Sequence, residues 1–361
     1  MGDRLVAFDI GESQVKMVWR EGAACKKAVC AALPDNLVSN GEILSHDAMA
    51  DFLRDIASDN GIPKKMPAAV ILPDSQVFAK TVEVPLMTEA QLVYNLPYEF
   101  KDYLTQEKGN YYFDYAVQET VIDDGDDEAD DSLDAGYADY SLDSSAEDDE
   151  PERDPEAPLK GTLKLFACAT LKQTINDYRE MFKRAGFKLV NAIPEEAAYA
   201  ALMAADHLDE SDTCIVDIGF DAIRMHFLQQ DTFISRRVID LGMRDVVAAI
   251  AENRNIDEHM AYEYMRTNYE GVLDDPDCAE IYGNMAVEIM KAVNFYNYNN
   301  RDRMLEYVHL CGGGAAVDPI ADAVANVSSF KVTSAADLLP DDVQIDEPWL
   351  FVKALGCALQ A

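Results

Sequence analysis

The first apolar run of the chain, RLVAFDI at residues 4–10, is continuous and stops at Gly11, the pattern of a buried strand ending in a turn. Residues 13–20, SQVKMVWR, alternate apolar and polar as its hairpin partner would, and residues 26–32 read as a third strand. Residues 46–60 change period: Met49, Phe52, Leu53 and Ile56 fall on one helical face, and Gly61 stops it. Residues 68–72 (AAVIL) are a short buried strand, and 76–84 alternate until Pro85. Thr88 then caps a predicted helix running to Leu104, bent or restarted at Pro97. Strand patterns follow at 111–121 and 162–171, then a helix at 172–185 stopped by Gly186, a strand at 187–193 and an alanine-rich helix at 194–205.

The pattern then repeats. TCIVDI at 213–218 is a second apolar strand ending in Asp-Ile-Gly, followed by hairpin strands at 222–228 and 232–238 and helices near 243–254, 257–267 and 277–299. A strand at 306–311 runs into Gly312-Gly313-Gly314 and a helix at 318–326. Two similar halves imply two lobes with a ligand cleft between them.

Composition changes this picture in one place. Of 67 acidic residues, 17 lie in residues 123–158 with a single base, Arg153. That segment cannot bury enough apolar surface to offset its ordering entropy, so it is expected to be a disordered insertion between two strands. Outside it, 29 basic residues stand against 50 acidic ones, and the whole chain carries −37. Such a surface repels nucleic-acid phosphates and anionic headgroups, so no nucleic acid and no direct membrane insertion are expected. No run of ~18 apolar residues occurs, and the N-terminus lacks a secretory pattern. The seven Cys are scattered without a CxxC pair, which reads as reduced thiols rather than zinc ligands.

Three loops carry candidate chemistry. Only glycine lets backbone N–H groups approach a phosphate without a Cβ in the way. The first loop is Asp9-Ile10-Gly11-Glu12-Ser13, with Lys16 on the outgoing strand; Ser13 could donate to a phosphate and Lys16 neutralise one. The second is Asp217-Ile218-Gly219-Phe220-Asp221. Asp9 and Asp217 would face one another across Mg²⁺, which keeps several waters and takes few carboxylates. The third, Gly312-Gly313-Gly314, sits at a strand-to-helix turn where an adenosine could lie on bare backbone. Each loop alone reads as an ordinary turn; their order, roughly 200 and 95 residues apart, carries the reading. No GxGxxG follows a strand and no GxxxxGK[ST] occurs, which removes the Rossmann and Walker alternatives.

These motifs resemble the actin-like ATPase superfamily, which includes heat-shock chaperones, sugar kinases and FtsA. Within it the sequence is most similar to the PilM family of type IV pilus assembly proteins. The matching stretches are FDIGESQVKMV (8–18), VILPDSQVFAKTVEVPLMTEAQL (70–92), FDYAV (113–117), AGFKLVNAIPEEAAYAAL (185–202), VDIGFDAIRMHFL (216–228) and HLCGGGAAVDPIADAV (309–324). VEVPLMTEAQL is the element specific to PilM; the glycine motifs point only to the superfamily.

The resemblance implies an α/β, actin-like (ribonuclease H-like) two-lobe fold with duplicated βββαβα units and a small inserted subdomain. It implies a first lobe at 1–65, the subdomain at 66–185, a linking region at 186–212, a second lobe at 213–310 and a return segment at 311–361. It implies ATP and Mg²⁺ between the lobes. It also implies a cytoplasmic protein that binds the N-terminal peptide of an inner-membrane PilN-like partner, which recruits it to the membrane. Residues for a peptide groove are Val84, Leu86, Leu92, Leu96, Phe100 and Phe166, although apolar residues at such spacing also describe any core. Glu195, at the start of the linking helix, matches a water-activating carboxylate, and a plain helix-start carboxylate is the competing reading.

The chain also departs from the family pattern. Ile223 stands where the second loop usually has Thr, and only Gly242 remains of the glycine pair after the second hairpin. Glu263 and Arg266 stand in for the Glu and Lys that address adenosine. At most a weak ATPase is expected. The alternatives are a nucleotide-dead interaction module, a small-metabolite kinase and an FtsA-like filament protein; self-association is left open.

Overall fold

The computed structural model of the chain describes residues 4–122, 161–205, 212–340 and 343–360. The acidic segment expected to be disordered, 123–158, lies outside the described residues.

Two five-stranded sheets repeat one plan. In the first, β1 (Arg4–Ile10), β2 (Gln14–Glu21) and β3 (Ala24–Ala32) form an antiparallel meander. A two-residue pair, β4 (Val38–Ser39) and β5 (Glu42–Ile43), precedes α1 (His46–Asp59), which returns the chain to β6 (Pro67–Leu72), parallel to β1. Ser45 caps α1 by accepting from the Ala48 N–H, and the buried stripe Met49, Ala50, Leu53 and Ala57 holds it on the sheet. β7 (Val77–Pro85), α2 (Glu89–Glu99), β8 (Tyr111–Ile122) and β9 (Gly161–Leu171) then build a separate three-stranded sheet in the order β7–β9–β8. From there α3 (Lys172–Ala185) leads back to β10 (Lys188–Pro194), parallel to β6, giving the order β3–β2–β1–β6–β10.

After α4 (Glu195–Ala205) the plan recurs with β11 (Asp212–Ile218), β12 (Ile223–Gln229) and β13 (Thr232–Ile239) as the meander. The crossover is now α5 (Met243–Arg254), α6 (Glu258–Thr267) and α7 (Pro276–Asn299), ending in β14 (Tyr307–Cys311), parallel to β11. Then α8 (Asp318–Val327) reaches β15 (Lys331–Ser334), and the order is β13–β12–β11–β14–β15. The last element is α9 (Val352–Gln360).

Helices α4 and α9 fill the space between the sheets. Tyr199, Leu202 and Leu355 from the helices join Val18, Ile215 and Leu228 from the sheets in one buried cluster. Their crossing is close enough that a Cβ on Gly356 would collide with the Ala198 carbonyl, so glycine is required there by space rather than conformation. This is the α/β two-lobe architecture with a small inserted subdomain that the sequence implies.

The stretch 66–185 does not behave as one unit. β6 is buried along its length from Ala68 to Leu72, so it needs cover on both faces and sits beside β1. The apolar stripe of α3, from Ile175 through Phe182, packs in the first-lobe core with Met49 and Leu53. Only β7 to β9 form the separate sheet. The helix after Thr88 ends at Glu99 rather than reaching Leu104, with Pro97 inside it. β15 and α9 have no counterpart in the sequence reading. β15 is four residues without alternation, and α9, at nine residues, is short for a helical period to stand out.

Candidate functional site

β1 and β11 are equivalent strands, and each ends in an aspartate at the floor of a cleft of about 1140 Å³ between the lobes. Asp9 and Asp217 are both nearly buried, 4% and 5% exposed. The hairpin that follows each strand places a cation opposite: Lys16 pairs in register with Asp9 and Arg224 with Asp217. Lys16 Nζ lies 3.5 Å from Asp9 Oδ2.

The two repeats then diverge. Arg224 turns towards Asp74, in the turn after β6, with Nε 3.2 Å from its Oδ2 and 3.8 Å from Glu195 Oε1. Arg236, on β13, contacts the same Asp74 and Glu196 Oε1, the latter at 2.8 Å. Asp74 belongs to the first lobe and both arginines to the second, so this cluster ties the lobes below the cleft. Glu195 and Glu196 open α4 and are almost wholly buried.

Their environments push these neighbouring acids apart. Burial works against the Glu195 charge, but the Lys353 ammonium, His226 and Arg224 outweigh it and hold the carboxyl well below its usual range. Glu196 is pushed up to about 7 by burial and by the Glu195 charge, with Arg236 only partly offsetting. Burial and Glu195 also raise Asp74.

Lys353, in the first turn of α9, is the residue that the motifs did not reveal. Its Nζ lies 2.8 Å from Asp217 Oδ2, 3.5 Å from Glu195 Oε2 and 3.7 Å from Asp9 Oδ1. Those three carboxylates outweigh burial and hold the ammonium charged; Lys353 and Lys16 in turn keep Asp217 ionised against its burial.

Most of the other sequence-selected residues line the same cleft: Gly11, Glu12, Ser13, Gly219, Phe220, Asp221, Glu263, Arg266 and Gly313. A Cβ at Gly313 would meet nothing and project into open space, leaving bare backbone facing the cavity. Gly312 and Gly314 serve differently. Gly312 has φ of +85°, and a Cβ there would strike Asp217; one at Gly314 would strike Ile218. Gly242 lies beneath the second loop, where a Cβ would strike the Phe220 carbonyl, and the adjoining Met243 and Arg244 N–H groups bind the Gly219 and Phe220 carbonyls. Glu263 and Arg266 bind one another at 2.7 Å on the outer wall. Ile223 is buried in the second-lobe core and presents no donor. Glu12 accepts the Gly41 N–H, and burial raises its carboxyl.

The residues chosen for a peptide groove are occupied in packing. Val84, Leu92, Leu96 and Phe100 are 5% exposed or less and form the core between α2 and its sheet. Phe166 packs edge-on against Phe233 of the second lobe at 5.5 Å between ring centres. Only Leu86 is partly open. A three-stranded sheet with one short helix needs all of its facing apolar side chains to make a core.

A polyanion fits this cleft through bare loop backbone and floor cations, not through its overall field. Eleven carboxylates and four cations line it among the described residues. A divalent metal does not fit between Asp9 and Asp217, because the Lys353 ammonium stands there. Among the described residues, no group of three or more His, Cys, Asp or Glu is arranged to hold a metal ion.

The family model described as type IV pilus assembly protein PilM matches residues 152–341, more than half of the chain. The chain belongs to the PilM family. A solved PilM–PilN type IV pilus biogenesis complex superposes with a TM-score of 0.74 at 18% identity, covering 98% of this chain and 97% of that one. The ethanolamine utilization protein EutJ from Carboxydothermus hydrogenoformans gives 0.57 at 12% identity, over 99% of this chain and 89% of that one. At these identities the likeness is one of fold. No curated protein sequence matches the chain. No helix among the described residues is long and apolar enough to cross a membrane.

Arg224 stands seven residues after its aspartate, as Lys16 does, and from sequence alone its charge falls near the second phosphate loop. Lys353 left a fainter signal, a single charge in the otherwise uncharged run VKALGCALQ. Asp74 and Arg236 left none.

Proposed function

We propose that this PilM-family protein is a nucleotide-responsive scaffold of a type IV pilus assembly complex. In this reading it binds the N-terminal cytoplasmic peptide of an inner-membrane PilN-like protein. The observation that carries the nucleotide half is the convergence of the Asp9 loop, the Asp217 loop and Gly313 on one interlobe cleft. Loop backbone at Gly11 and Gly219, the Ser13 hydroxyl and Lys16 would hold the phosphates, and the Gly313 turn and the α6 wall at Glu263 and Arg266 would hold the nucleoside. ATP would supply polyanionic contacts to both lobes and favour their closure, and closure would change the affinity for the peptide. Glu195 lines the cleft and is held ionised, so it is the carboxylate this reading assigns to activating water. The peptide half is supported by similarity to a protein solved with PilN; docking on the small subdomain would open the seam at Leu86 beside Val84 and Leu92.

A nucleotide-dead interaction module is favoured by two observations: the excess of carboxylates around the cleft and the buried Ile223. Calorimetric titration of ATP and ADP into the full chain separates the readings. Heat with saturation supports the first; no heat and no thermal shift leave only the module. Anisotropy of a labelled N-terminal peptide of the PilN-like partner, with and without nucleotide, tests the scaffold role, and absence of peptide binding in both states would sink it.

A further inference from the structure

We propose that the Lys353 ammonium is a tethered counter-ion that takes the place of a divalent cation between the two phosphate-loop aspartates. The proposal rests on reading the cleft as a nucleotide site, and its test separates the two.

The floor holds three carboxylates from three elements: Asp9 at the end of β1, Asp217 at the end of β11 and Glu195 in the first turn of α4. They converge on one point, and Lys353 Nζ occupies it at 2.8, 3.5 and 3.7 Å. Two of the outer oxygens are addressed as well. Asp9 Oδ2 faces Lys16 at 3.5 Å, and Glu195 Oε1 faces His226 Nε2 at 3.4 Å, Arg236 at 3.6 Å and Arg224 at 3.8 Å. Lys16, Lys353 and the two arginines beside Glu195 thus offset the three acids without a metal. Magnesium needs a near-octahedral shell of oxygens at ~2.1 Å, which these carboxylates cannot offer while an ammonium sits among them. A metal and an ammonium sharing these oxygens would repel at contact distance.

The lysine is not free to leave. Its stem rises from α9, which is locked against α4 by the close approach of Gly356 to Ala198 and packs on β1. Withdrawal would strip Asp217 of its 2.8 Å partner inside a nearly buried site. The side chain nevertheless lines the cavity and keeps 16% of its surface exposed. Its two longer contacts leave N–H capacity that can turn to a phosphate oxygen. Phosphate would therefore be held by fixed side-chain cations, and nucleotide would bind whether or not Mg²⁺ accompanies it.

The test uses the full chain and Lys353→Met, whose side chain keeps the length of the lysine stem without its charge. Manganese uptake is titrated by electron paramagnetic resonance without nucleotide. Each protein is compared with its own Asp217→Asn counterpart, which subtracts diffuse uptake by the acidic surface. The expected result is no Asp217-dependent Mn²⁺ in the wild type and one equivalent in Lys353→Met. ADP affinity, measured with a fluorescent analogue, should change less than threefold between EDTA and Mg²⁺ in the wild type. In Lys353→Met it should become at least tenfold weaker in EDTA than in Mg²⁺. One Asp217-dependent Mn²⁺ in the wild type, or a wild-type nucleotide affinity that falls tenfold or more in EDTA, overturns the proposal. Both wild-type arms decide it even if the variant fails to fold. A wild type that takes up neither nucleotide nor metal, beside a Lys353→Met that gains the Mn²⁺ site, supports the counter-ion and refutes the nucleotide reading.

Discussion

Glu196→Gln is expected to stabilise the protein, with an advantage that grows as pH rises from about 4.5 and levels off above about 7. Glu196 opens α4 beside the ionised Glu195 and is 1% exposed. Its Oε2 has no hydrogen-bond partner, and Arg236, shared with Asp74, supplies the 2.8 Å contact to Oε1. Burial and the Glu195 charge raise its pKa from 4.5 to about 7. A folded pKa above the unfolded one favours the folded chain in the protonated form. That contribution is complete below about pH 4.5 and is lost as pH rises through about 7. Each unit corresponds to about 1.4 kcal/mol, so roughly 3 kcal/mol separates the two limits. Glutamine stays neutral, keeps a carbonyl for Arg236 and fills the same volume. The variant should therefore match the wild type near pH 4.5 and exceed it by roughly 3 kcal/mol at pH 8. For a chain of this length that is a Tm difference of roughly 4 °C. Urea unfolding followed by circular dichroism, run for both proteins from pH 4.5 to 9, reads the difference and cancels the background titration of the acidic surface. A variant no more stable than the wild type at pH 8, or a difference flat across that range, would refute the assigned burial and coupling.

Three further outcomes follow from the packing. Gly356→Val should force α4 and α9 apart and cost at least about 3 kcal/mol, seen as loss of Tm or of soluble protein; a melt within 1 °C of wild type would contradict the close crossing. Thr88 accepts the Gln91 N–H while Gln91 accepts the Thr88 N–H, so Thr88→Ala should cost about 1 kcal/mol. Hydrogen exchange should localise that loss to residues 89–99, and unchanged protection there would argue against the cap. Phe233→Ala removes the ring that meets Phe166 and should cost about 3 kcal/mol, with faster exchange in β7 and β9 as the subdomain loosens from the second lobe. Loss confined to β12 and β13 would place the ring in the second-lobe core alone.

Much of this architecture was legible because it is locally encoded. A fully buried strand must be apolar along its length, so RLVAFDI and TCIVDI announce β1 and β11. A helix on a sheet must carry a stripe, so Met49 and Leu53 announce α1. Thr88 and Gly186 mark ends because unpaired backbone groups and a left-handed φ need those residue types. The repeat of these signals is what made two lobes and a cleft readable, with Asp9 and Asp217 at its floor.

What the tertiary structure alone decided is which side chains share the cleft floor and which are used up in packing. Val84, Leu92 and Phe100 carry the same apolar signal whether they line a groove or a core; only the facing sheet makes them core. Asp74, Glu195 and Arg236 are far apart in sequence and meet because two sheets close over α4. Lys353 follows Asp217 by more than a hundred residues, on a short helix of nine residues, and no spacing rule links them. Local periodicity records which surface an element buries. It does not record which charge arrives from the other side, and that charge sets the chemistry of the two aspartates.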